Sequence, residues 1–116
     1  MPVTVQAISE ARDLLVGVAR VTPVAPAAYL ADRVGGPVWL KCENLQVAGS
    51  FKVRGAHVRL SRLTPEERAV GVVAASAGNH GLAVAWASAI FGLQATVVVS
   101  EQASPAKVAK LRAQPI

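Results

Sequence analysis

Residues 71–100 contain no Asp, Glu, Lys or Arg, and this run limits the fold more than any other stretch of the chain. An uncharged segment of that length raises the question of a membrane span. Here it is broken by Ser76-Ala77-Gly78-Asn79-His80-Gly81 and again by Gly92, so the apolar pieces are too short to cross a bilayer as one helix. The pieces also differ in kind. Val70 to Ala74 and Ala95 to Val99 are short and Val-rich, as strands are, whereas Asn79 to Phe91 is long enough for a helix that Gly92 ends with a left-handed cap. A strand, a helix and a second strand, none of them charged, describe a buried crossover unit with parallel strands.

The flanking segments extend this pattern. Val3 to Val18 reads as a helix with Ile8, Ala11, Leu14 and Leu15 on one face, ending before Thr22-Pro23. Residues 26–34 suggest a second short helix, stopped at Gly35-Gly36-Pro37, and Val38 to Cys42 reads as a strand. A polar turn at Glu43-Asn44 leads to Gly49-Ser50, where Ser50 is placed to cap a helix from Phe51 to about Leu63. Thr64-Pro65-Glu66-Glu67 is another helix start, with a capping threonine, proline at the first position and acids in the first turn. Ser104-Pro105 opens a last helix to about Arg112. Strands alternating with helices predict an α/β chain, three-layer αβα with a parallel sheet. After Gln114-Pro115-Ile116 a doubly wound fold needs a further strand, so the sequence reads as truncated, with Val-rich strand edges that favour aggregation.

Composition excludes several functions. Hydrophobic residues make up 53% of the chain and charged residues 16%, which supports a packed core rather than disorder. The formal charge of +5 invites a nucleic-acid reading. The basic residues are scattered from Arg12 to Arg112, however, and no aromatic side chains are interleaved with them as a stacking platform. An anionic small ligand accounts for local positive charge equally well. Cys42 is the only cysteine, so neither an internal disulfide nor a zinc site is expected, and a reducing, cytoplasmic setting fits. Glu10, Arg12 and Asp13 interrupt any early apolar run, unlike a signal peptide.

Two loops carry polar residues where strands hand over to helices. In Gly49-Ser50-Phe51-Lys52-Val53-Arg54-Gly55-Ala56, Lys52 falls in the first turn of its helix, where the dipole disfavours a cation. That placement suits an amine that must attack an aldehyde. From position alone, a solvated surface lysine is the commoner case. In Ser76-Ala77-Gly78-Asn79-His80-Gly81, small residues let backbone N–H groups approach an anion at a helix start, at the carboxyl end of a strand. An ordinary tight connection, with Ser76 or Asn79 capping the helix, reads the same way. The spacing Gly78-x-x-Gly81 is neither a dinucleotide fingerprint nor a P-loop, and His80 alone decides nothing.

Taken together the loops are more specific. The first, with Lys41-Cys42-Glu43-Asn44-Leu45-Gln46 before it, resembles the cofactor-lysine segment of fold type II pyridoxal-phosphate enzymes. The second resembles the substrate-carboxylate loop of that group and follows at the expected distance. Within the group the chain looks most like the serine/threonine dehydratases, or threonine ammonia-lyases, up to about Arg112. The resemblance implies that Lys52 holds pyridoxal 5'-phosphate through its amine and later moves the substrate's alpha proton. It implies that Phe51 lies beside the pyridine ring and that Asn79 hydrogen-bonds the ring's phenolic oxygen. Ser76, Gly78, Asn79 and His80 would bind the carboxylate of a small amino-acid substrate, and no metal is required. Loss of the beta hydroxyl from serine or threonine would give a 2-oxo acid and ammonia. Residues 1–62 would open the large cofactor-binding domain and residues 63–116 the small αβα domain, in a full-length form that is a homo-oligomer without membrane or nucleic-acid partners.

Departures from the pattern qualify that picture. Ala77 stands where serine racemases of the group carry a second serine, which favours elimination over racemisation, while a beta-replacement relative stays open. Ala48 replaces a common threonine and Leu82 a common glutamine. The glycine-rich loop that holds the cofactor phosphate in the family has no counterpart, so a catalytically inactive fragment is the competing reading. A small anion-binding module without chemistry is a third, though such a module has no use for a reactive lysine.

Overall fold

A computed structural model describes residues 3–114. Helix α1, Val5–Leu14, starts where the Thr4 side chain accepts a hydrogen bond from the Ala7 amide at 3.1 Å. Strand β1, Val24–Pro26, pairs antiparallel with β2, Trp39–Lys41, and α2, Ala28–Val34, lies between them. Two short 3-10 turns, Glu43–Leu45 and Val47–Gly49, lead into α3, Lys52–Ser61. Helix α4, Pro65–Val70, is followed by β3, Val72–Ala75, then α5, Asn79–Phe91, β4, Ala95–Val98, and α6, Pro105–Arg112.

The uncharged run forms the expected unit. Strands β3 and β4 pair in parallel, with Val72 opposite Ala95 and Ala75 opposite Val98, and α5 is the crossover between them. Its sequence is apolar nearly all round, as suits a buried helix. It ends at Gly92, whose φ of 61° is the left-handed cap that glycine adopts without a Cβ penalty. The start of α4 is equally local. Thr64 accepts from the Glu67 amide and the Glu67 carboxylate accepts from the Thr64 amide, a reciprocal capping box.

The core is a close contact of α3 with α5 over β3. Val53, Ala56 and Leu60 meet Ala83, Val84 and Ala87, with Ala74 and Leu93 completing the cluster. Alanines on both helices let the two backbones approach, so few large side chains are needed. The cluster draws residues from both sides of position 62.

Four sequence expectations are corrected. The strand at residues 39–41 is not part of the parallel pair but joins an antiparallel ribbon with β1, a strand that the proline-flanked sequence did not suggest. Proline cannot donate to a ladder, and Ala27, just past Pro26, continues the pairing by donating to the Val38 carbonyl at 2.9 Å. Helix α1 is shorter than residues 3–18, and the face carrying Ile8 and Leu14 is not buried, because no described element covers it. Ser50 does not cap α3. Phe51 is the N-cap residue, without a side-chain cap, and the buried Ser50 hydroxyl has no hydrogen-bond partner among the described residues. Finally, neither Ser76 nor Asn79 caps α5, whose N-cap residue is Gly78.

Candidate active site

Lys52 is the first residue of α3, and its side chain is exposed. Among the described residues it makes no hydrogen bond or ion pair, and its ammonium lies over the Phe51 ring, 5.1 Å from the centroid. Both side chains line an open groove of about 930 Å³ between α3, α4 and the free edge of β3. His80, in the first turn of α5, lines the same groove. Ser76, Gly78 and Asn79 stand beside it at the carboxyl end of β3 but do not form its wall. The structure thus brings Phe51, Lys52 and His80 to one surface and leaves Ser76, Gly78 and Asn79 at its margin. The setting is a groove rather than a closed cleft.

The Ser76–His80 loop has the chemistry of an anion cradle. The Ser76 hydroxyl accepts from the Gly78 amide at 3.2 Å, which curls the loop. With no side chain capping α5, the N–H groups of its first turn remain available to an external acceptor. Gly81 makes that turn possible. A Cβ at this position would collide with the Ser76 carbonyl oxygen and sit 3.1 Å from Val97 Cγ1.

The segment before Lys52 is held by polar contacts that sequence reasoning missed. The Arg54 guanidinium grips Glu43 with two hydrogen bonds, Nε to Oε2 at 2.8 Å and Nη2 to Oε1 at 2.9 Å. Thr22 donates its hydroxyl to Glu43 Oε1 at 2.6 Å. The Arg54 hydrogen bond is the largest of the effects that hold the Glu43 carboxyl at about 2, well below its ordinary 4.5. Gln46 is buried, and its amide both accepts from the Arg20 N–H at 2.8 Å and donates to the Arg20 carbonyl at 2.9 Å. Ala48 takes a φ of 57°, a left-handed conformation that costs a non-glycine residue about 1 kcal/mol. The one signal for this network in the sequence was the density of polar residues from Lys41 to Gln46.

His57 is buried on the opposite side of α3, its ring 4.8 Å from that of Phe91. Burial lowers its pKa from the ordinary 6.5, because the charged imidazolium loses its hydration there. The native state therefore binds fewer protons than the unfolded chain in this range, and stability rises with pH. We expect full stability above 6.5 and a loss as pH falls below it towards the folded-state value. Urea midpoints at about pH 8 and about pH 5.5 check this, and the difference should shrink in His57→Gln. A pH dependence that survives His57→Gln unchanged would assign it to another group.

Comparison with known proteins decides the family. Residues 16–114 match the family described as pyridoxal-phosphate dependent enzyme. The chain belongs to that family. It is 46% identical over 110 residues to an L-threonine ammonia-lyase of Thermotoga maritima, which covers 95% of this chain and 27% of that protein. It is 42% identical over 109 residues to a catabolic L-threonine dehydratase of Escherichia coli, 94% of this chain and 33% of that one. The solved serine racemase of Dictyostelium discoideum superimposes with a TM-score of 0.85 at 38% identity, covering 95% of this chain and 36% of its own. The chain thus spans about a third of the length of these relatives. It has the α/β architecture of fold type II pyridoxal-phosphate enzymes. The residues present fit the family's cofactor in an accessible amine with an aromatic face beside it, and the uncapped start of α5 nearby can hold a further anion. Among the described residues no helix is long and apolar enough to cross a membrane, and no group of His, Cys, Asp and Glu could hold a metal ion.

Proposed function

We propose that this chain carries the lysine and carboxylate loops of a pyridoxal-phosphate-dependent ammonia-lyase that converts L-threonine or L-serine to a 2-oxo acid and ammonia. The observation that carries the reading is Lys52 itself, unpaired on the first turn of α3 and opening into a groove shared with Phe51 and His80. In this reading Lys52 holds the cofactor and, once displaced by the substrate amine, moves the alpha proton. Phe51 packs beside the cofactor ring and Asn79 donates to its phenolic oxygen. Ser76, Gly78, Asn79 and His80 bind the substrate carboxylate, chiefly through the amides at the start of α5, and so fix which face of the alpha carbon meets Lys52. The bound cofactor supplies the electron sink at the alpha carbon.

Residues 1–62 then belong to the larger cofactor-binding domain, residues 63–116 begin the smaller one, and the whole protein is a cytoplasmic homo-oligomer. Ala77 offers no hydroxyl for a base on the opposite face, which supports elimination over racemisation. A second reading, an inactive fragment, is favoured by the open groove and by Val73 on β3, which is 76% exposed. We therefore expect the purified 116-residue chain to release little or no ammonia from serine or threonine. Steady release would contradict the fragment reading.

The test of Lys52 is borohydride trapping with pyridoxal phosphate followed by peptide mass mapping. Label concentrated on Lys52 and lost in Lys52→Arg is the expected result. Label spread evenly over Lys41, Lys107 and Lys110 as well would sink the assignment.

A further inference from the structure

The geometry points to Glu43 and Arg54 as a clamp that positions Lys52, a role that rests on the reading of Lys52 as the cofactor lysine. No hydrogen bond or ion pair holds the Lys52 amine among the described residues, and its one polar contact is with the ring of Phe51, the residue just before it in the chain. Its direction is therefore set by the backbone of the first turn of α3. The usual means of fixing a first turn are missing here. The N-cap residue Phe51 offers no side-chain acceptor, and the Ser50 hydroxyl beside it is buried without a partner.

Arg54 supplies what the cap does not. It stands two residues after Lys52 in the same turn and lines the same groove, with its guanidinium committed to Glu43 rather than to the amine. Its bidentate grip on Glu43 reaches across the loop that carries Lys52, and Arg54 Nη2 also lies 3.4 Å from the Arg20 carbonyl. Glu43 is itself tied down by Thr22, and the loop between them is pinned by Gln46 on both polar groups of the Arg20 backbone. Lys52 thus sits between two anchored points, Gln46 upstream and Arg54 downstream. A planar fork fixes orientation as well as distance, and a lysine ammonium at position 54 cannot reproduce it.

The test compares Arg54→Lys, Glu43→Gln and Glu43→Ala with Leu111→Ala, a buried position on α6 that lowers stability away from the clamp. In each folded variant, pyridoxal phosphate with borohydride reads the labelling of Lys52 relative to Lys41, Lys107 and Lys110. Formaldehyde with borohydride, which needs no cofactor site, reads simple access to the amine. A positioning role predicts that Lys52 selectivity for pyridoxal phosphate falls at least about tenfold in Arg54→Lys and Glu43→Ala. Glu43→Gln, which keeps one acceptor, should fall less. Formaldehyde labelling should not drop in any of them, and Leu111→Ala should keep the wild-type selectivity.

Unchanged selectivity in Arg54→Lys, or an equal fall in Leu111→Ala, overturns the proposal. Amide hydrogen exchange separates its failure from that of the Lys52 assignment. If the wild-type chain shows no preference for Lys52, the assignment fails. The clamp is then judged on the Arg54 amide, which donates to the Phe51 carbonyl at 3.0 Å, and on the amides of residues 56–58 in the next turn of α3, which should exchange at least about tenfold faster in Arg54→Lys relative to those of α5. No such acceleration overturns the clamp by itself.

Discussion

Replacing Gly81 with alanine should destabilise the chain by about 2 kcal/mol and displace the Ser76–His80 loop. The added Cβ would meet the Ser76 carbonyl oxygen, a backbone atom, and Val97 Cγ1 of β4. Neither can step aside cheaply. Ser76 is tied to the strand region, its amide donating to the Val98 carbonyl at 2.9 Å, and Val97 lies in the parallel ladder opposite Ala74. Relief requires α5 to withdraw from the sheet or the loop to rebuild, at about 3 kcal/mol for overpacking of this kind, of which alanine's better helix propensity returns about 1 kcal/mol. Gly55 is the contrast. It lies inside α3 with nothing within 4 Å of a built Cβ, so Gly55→Ala should raise stability by up to about 1 kcal/mol. Urea midpoints with unchanged slopes measure both. An undiminished midpoint in Gly81→Ala would mean that the close approach of α5 to Ser76 is not a real constraint.

This contrast also shows what the sequence could and could not reveal. Features set within a few residues were legible: the capping box of Thr64 and Glu67, the Gly92 cap, the uncharged crossover from β3 to β4. Each follows from hydrogen bonds or periodicity confined to one segment. Features set by pairing across the chain were not. The strand at Val24–Pro26 exists because Trp39–Lys41 lies beside it, and prolines at positions 23 and 26 argue locally for a break. Ser50 looked like a cap because residue type alone suggests one, whereas the direction of its hydroxyl depends on how the whole loop is anchored.

The same division holds within the site. Lys52 and the Ser76–His80 loop could be picked out because each is a compact motif, and the structure places Lys52 and His80 on one groove. The clamp was invisible because it joins Arg20 and Thr22, Glu43 and Gln46, and Arg54, with partners as many as 34 residues apart. Glu43 and Arg54 stood in the two segments that carry the family resemblance, with nothing local to show that they pair. Only the fold reveals that they face each other across the loop that presents the lysine.

Leu60→Ala should cost about 3 kcal/mol, and the loss should be felt along the whole of α3 and α5. Leu60 is 5% exposed and, with Leu93, is one of the two leucines in a cluster otherwise built from alanine and valine. Alanines at 56, 74, 83 and 87 make up half of that buried cluster, and their methyl groups cannot swing in to fill a void, so collapse of the site is limited. A chain of this size has a total stability of the order of 5–15 kcal/mol at best, and this one leaves Val70 and Val73 almost bare to solvent, so the substitution removes a large share. If α3 and α5 form one cooperative unit, amide exchange should accelerate together in both helices. Faster exchange confined to the last turn of α3, or a loss under about 1 kcal/mol, would show that the helices are not one unit. Cooperative loss would tie packing to chemistry. Lys52 begins α3 and the Ser76–His80 loop leads into α5, so the alanine-lined contact between these helices holds the two loops at a fixed separation.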